Sequence, residues 1–255
     1  MPSTARNWIF RHTINARICH WIMVVSFFYL LYSGIMIFLH FPELYWGKVG
    51  FQGYPAIFRL EDWGISWERA EELGDRRWGR SYHYLFAWVF VINGMIYLIW
   101  NGWQKKFYQK MLPTREQLSI RNLKSEFARH IKLKAAKGES AASYNILQKI
   151  SYLFVLFALF PFMIISGFAQ MPAFTAISPD LIDLFGGRQT ARTLHVICSL
   201  LLVVFVFVHL VEMIIAGAVN QLRSMLIGKY EIHSENAEES LRVRKRLFKT
   251  SMKSS

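Results

Sequence analysis

The chain has 255 residues, of which 53% are hydrophobic, 16% aromatic and only 18% charged. That balance excludes a disordered segment and argues against an ordinary water-soluble domain, in which about a quarter of residues are charged. The formal charge of +13 suggests nucleic acid only until the 30 lysines and arginines are placed along the chain.

Four long stretches, 18–42, 81–104, 150–179 and 193–222, are nearly free of charge, the last interrupted by Glu212. About 20 apolar residues cross ~30 Å of hydrocarbon. An all-α membrane protein is therefore expected, with four spanning helices at 18–40, 82–103, 149–170 and 191–217. The first run follows Arg6, Arg11 and Arg17 in the manner of a secretory signal, but it is too long and lacks a small-residue cleavage site.

Between the first two helices, the loop 41–80 holds six basic and seven acidic residues with Trp46, Trp63, Trp67 and Trp78. Ser66 can cap a short helix through Glu71 and Glu72 there. Such a loop suits an interfacial lid or a docking surface for a partner. The connection 104–148 and the basic tail 221–255 read as solvated, lipid-facing segments outside a membrane domain at 1–220. With four crossings, the termini and the central connection share one side and carry 22 Lys and Arg against 8 on the other. The positive-inside rule places both termini in the cytoplasm, so the basic excess reflects topology and membrane lipid, with no role for nucleic acid. Cys19 and Cys198 fall at different depths, and a disulfide is not expected.

Histidines inside the spans are the chemical signal. His12, His130 and His233 fall in aqueous segments, and His40 sits where the first helix leaves the membrane. His195 and His209 share the fourth helix, 14 residues apart. Fourteen steps of ~100° leave them within ~40° of each other, and a rise of ~1.5 Å per residue separates them by ~21 Å. They occupy one face at two depths. Matching depth pairs His83 with His195 on the outer side and His20 with His209 on the inner side. Each pair supplies two imidazoles from different helices, as bis-histidine ligation of a haem iron requires. A zinc site would want more ligands at one depth, and a proton relay has no need of the 14-residue spacing. Gly34, Gly94, Gly167 and Gly217 put one small residue in each expected helix, where a macrocycle or a neighbouring helix can approach. Arg17, Arg80 and Arg192 each precede a paired histidine by three residues, suited either to haem propionates or to anchoring a helix end.

The segments RICHW at 17–21, RSYHYLFAWVFVINGMIY at 80–97, YNILQK at 144–149 and RTLHVICSLLLVVFVFVHL at 192–210 resemble the four-helix, di-haem b-type cytochrome subunits of membrane oxidoreductases. These include the cytochromes of formate dehydrogenase, nickel–iron hydrogenase and thiosulfate reductase, the last type being the closest in the long outer loop. The resemblance implies two haem b groups, with His83 and His195 on the outer iron and His20 and His209 on the inner. It also implies a quinone, menaquinone or ubiquinone, beside the inner haem. Asn145 of the YNILQK segment would bond a quinone carbonyl, with Leu147 standing where the family has glycine. Glu212, three residues beyond His209, suits a proton path to that quinone or a snorkelling helix-end contact. The chain lacks molybdopterin, iron–sulfur and nucleotide motifs, so substrate chemistry belongs to a partner, expected to be a periplasmic redox subunit such as a molybdopterin oxidoreductase. The expectation is an electron-transfer subunit of a bacterial inner-membrane complex, linking that partner to the quinone pool. A small transporter or anchor whose histidines bind metal, relay protons or merely pack is the alternative.

Overall fold

The computed structural model describes residues 6–102, 112–115, 117–131 and 146–233. Strand β1 (Arg6–Phe10) leads into helix α1 (Ile14–His40). The following loop forms a small ribbon of β2 (Glu43–Leu44) and β3 (Phe58–Arg59), then α2 (Trp67–Leu73), which Ser66 caps by accepting from the Arg69 amide. Helix α3 covers Arg76–Gly102 and α4 covers Ile120–Ile131. Helix α5 (Ile146–Phe168) contains a π turn at Val155–Leu159 just before Pro161, whose ring cannot sit in an unmodified α ladder. Short helices α6 (Pro172–Ile177) and α7 (Asp180–Leu184) precede α8 (Arg188–Ile215), α9 (Ala218–Ile227) and β4 (Lys229–His233).

Among the described residues, α1, α3, α5 and α8 are long and apolar enough to cross a membrane. Their apolar side chains confirm the solvent they are built for: Phe28, Ile92, Leu200 and Phe207 are each more than half exposed, which only lipid makes tolerable over so much surface. Helices α1, α3 and α8 begin several residues before their apolar runs and carry Arg17, Arg77 and Arg188 in those first turns. Helix α8 ends at Ile215, because Gly217 adopts φ +93°, so this glycine breaks the helix instead of packing within it.

The chain divides into two compact units, each drawing on all four long helices. One, the loop unit, comprises Trp21–Met95 and Val155–Val206. Its core is Val155, Leu159, Cys198 and Leu202 with Phe27, Phe160, Met163 and Phe205 around it. The other, the terminal unit, comprises Met1–His20, Ile96–Phe154 and Phe207–Ser255, and is fastened by the antiparallel pairing of β1 with β4. Arg11 reinforces that ribbon by bonding Gln221 and lying over the Tyr230 ring.

Candidate functional site

In the loop unit, α3 presents His83 and α8 presents His195, with ring centroids 6.2 Å apart. Behind each imidazole stands a serine from another helix. Ser33 Oγ of α1 lies 3.0 Å from His83 Nδ1, and Ser166 Oγ of α5 lies 2.9 Å from His195 Nδ1. Each hydroxyl donates to a carbonyl of its own helix, Ser33 to Tyr29 at 2.6 Å and Ser166 to Met163 at 3.1 Å. With that proton committed, Oγ accepts and Nδ1 carries the ring hydrogen. In the neutral ring the free lone pair is then on Nε2.

Glycine makes the room. A Cβ on Gly34 would sit 3.5 Å from His83 Cε1, and one on Gly167 would sit 3.4 Å from His195 Cε1. Gly79, one turn before His83, would bring a Cβ to 3.1 Å from the Ser33 carbonyl and from Met36 and Ile37. Its missing side chain lets α3 close on α1 at the level of Ser33. Gly94 meets nothing within 4 Å.

The pair fits a haem iron. Two metal–imidazole bonds of about 2 Å each, plus the half-width of each ring, add to about 6 Å, close to the observed 6.2 Å. Fixing Nδ1 through a hydrogen bond is how metal-binding histidines are generally oriented.

The first turn of α8, just before His195, is knitted to the loop. The Gly47 carbonyl accepts from the Gln189 and Thr190 amides, filling donors that a helix start leaves open. Thr193 donates to the Tyr45 carbonyl at 2.7 Å. Arg192 gives its two terminal nitrogens to the carbonyls of Glu43 and Phe41 and lies 4.9 Å over the Phe41 ring. Tyr45, fully buried, donates to the buried Glu43 carboxylate and is bonded to the Phe51 carbonyl. Burial first, then the Glu43 contact, pushes its phenol far above the usual tyrosine range. Arg80 reaches Tyr84.

In the terminal unit, α1 contributes His20 and α8 contributes His209. The Tyr152 ring lies edge-on to His209 at 6.4 Å. Gln148 Nε2 donates to Glu212 Oε2 at 3.1 Å, so the QK end of the YNILQK segment meets the carboxylate one turn beyond His209. Lys149 is buried and donates to Gln117 and to the Leu112 carbonyl. Arg17 donates to the Leu226 carbonyl at the end of α9. Asn145 lies outside the described residues.

The structure thus brings His83 together with His195 and joins Gln148 to Glu212. Sequence reasoning missed Ser33 and Ser166. The signal was present: Ser-Gly occurs at 33–34 and again at 166–167, once in the first apolar run and once in the third.

A family model for prokaryotic cytochrome b561 matches residues 11–228. The chain belongs to the prokaryotic cytochrome b561 family. It is accordingly a multi-pass bacterial membrane protein that binds haem b and carries electrons. The chain is also 28% identical over 193 residues to a putative protein-methionine-sulfoxide reductase subunit, YedZ1, of Azospira oryzae, covering 76% of this chain and 84% of that protein.

Proposed function

We propose that this cytochrome holds two haem b groups and passes electrons between a periplasmic oxidoreductase and the membrane quinone pool. His83 and His195 would hold one iron, and His20 and His209 the other. The observation that carries the reading is the His83–His195 pair, separated by the width of a metal–bis-imidazole unit, with both Nδ1 atoms already engaged. Held by two histidines, a haem there would exchange single electrons and would offer no open position to a substrate. Arg80 is the arginine best placed for a propionate, since Arg192 and Arg17 already donate to backbone carbonyls.

The quinone site is assigned to the terminal unit, where Gln148, Tyr152 and Glu212 gather near His209. Interconverting quinone and quinol moves two protons with two electrons, and Glu212 supplies a carboxylate to carry them, held in position by Gln148. The relative named as a methionine-sulfoxide reductase subunit supports a partner that reduces an oxidised substrate, with a molybdopterin enzyme as the proposed class. The basic termini and central connection favour the cytoplasmic side for both chain ends.

The test is reduction of the purified, oxidised cytochrome by a quinol, followed in the visible bands. We expect the haem bands to reduce, and Glu212→Gln to slow reduction at least tenfold without changing haem content. Failure of menaquinol and ubiquinol alike to reduce the protein would contradict the quinone assignment.

A further inference from the structure

We propose that Ser33 and Ser166 are the positioning residues of the loop-unit haem, together setting its redox potential through the two axial imidazoles. The inference rests on the reading that His83 and His195 hold that haem. Three observations carry it. Both serines are fully buried in spanning helices, where a hydroxyl without a task is costly. Both adopt one arrangement: the hydroxyl donates back to its own helix, and Oγ lies 2.9–3.0 Å from an Nδ1. Both are followed by a glycine whose missing Cβ faces the same histidine ring. The device is built twice, from α1 towards α3 and from α5 towards α8.

The chemistry follows from what Oγ does. By accepting the Nδ1 hydrogen it fixes the tautomer that leaves Nε2 as the ligand atom, holds the ring plane, and makes the imidazole a slightly better donor. A hydroxyl oxygen is a neutral, moderate acceptor, so the ring stays an imidazole and does not gain the anionic character that a carboxylate acceptor would give it. A better donor favours the oxidised iron. Losing a serine should therefore make this haem easier to reduce.

The experiment is a potentiometric titration with low-temperature electron paramagnetic resonance on the full chain, for wild type, Ser33→Ala, Ser166→Ala, Ser33→Thr and Ser166→Thr, alongside His195→Ala. Each alanine variant should raise the midpoint of the same haem, by an amount approaching a tenfold change in its oxidised-to-reduced ratio at fixed potential, ~59 mV for one electron. Its low-spin signal should shift or broaden, and the second haem should stay in place. Threonine keeps the hydroxyl and should restore the wild-type values. If an alanine variant loses its haem altogether, threonine retaining it supports the proposal, and threonine losing it overturns the proposal. An unchanged midpoint and signal in both alanine variants, or equal shifts in both haems, would also overturn it. Should His195→Ala keep its full haem complement, the underlying ligand assignment fails instead.

Discussion

The two histidine pairs are built from different materials. In the loop unit, His83 and His195 are backed by serines and glycines and overlaid by a loop stitched to the start of α8. In the terminal unit, His209 has a phenol, an amide and a carboxylate for neighbours. A site lined with neutral, fixed groups keeps its cofactor's geometry and potential constant, which suits electron transit. A site with a carboxylate at hand can take up or release a proton, which suits quinone chemistry. On the proposed reading, two pairs of the same residue would take different roles from the groups behind them.

The contrast can be broken most severely at Gly79. Gly79→Leu places a side chain where even a Cβ lies 3.1 Å from the Ser33 carbonyl, forcing α3 away from α1. We expect loop-unit haem affinity to fall about 10–100-fold while the terminal-unit haem is retained, as read by haem titration of the apoprotein. Equal loss of both haems would erase the distinction between the sites.

A smaller effect is expected from Tyr45→Phe. It removes a buried hydroxyl and leaves the Glu43 carboxylate short of a donor, at about 1–3 kcal/mol. Folding raises the Tyr45 pKa, so this group is neutral in the folded chain at pH values where the unfolded chain has ionised, above ~10. The unfolded state then binds fewer protons, and stability falls as pH rises through that range. Thermal unfolding in detergent should show the wild type losing Tm between pH 10 and 11 more steeply than the variant. Parallel slopes would place the buried phenol outside the loop's stabilising contacts.

The smallest effect sharpens the comparison from the terminal side. Arg223 pairs with Glu231 at 3.0 Å and lies over Trp8, at the rim of the β1–β4 ribbon. Arg223 is about a third exposed while Glu231 is nearly buried, and solvent at the guanidinium should hold the pair's contribution to ~1 kcal/mol. Arg223→Ala should leave Tm within a few degrees of wild type and haem content unchanged.

The spans were legible in the sequence because hydrocarbon imposes length and composition together, and the meeting of His83 with His195 followed because helix direction fixes depth. Other features left no such trace. Ser33 and Ser166 are unremarkable in composition, and the different spacing from each serine to its histidine, with the loop 41–80 intervening in only one case, hides the repeated Ser-Gly device from a search at fixed period. Gly217 looked like its neighbours in the other helices, yet its positive φ ends α8. The ribbon joining β1 to β4 pairs residues from opposite ends of the chain, which local patterning cannot reveal. Arg192 illustrates the limit at the site itself: position marked it as a cation one turn before His195, whereas its loop-carbonyl partners are visible only in three dimensions.

The most direct test of the account is haem quantitation with a dithionite-reduced minus oxidised spectrum for wild type, His195→Ala and His209→Ala. Two b-type haems per chain are expected in the wild type, one in each variant, and different remaining bands in the two variants. A wild type with a single haem that survives His195→Ala would contradict it.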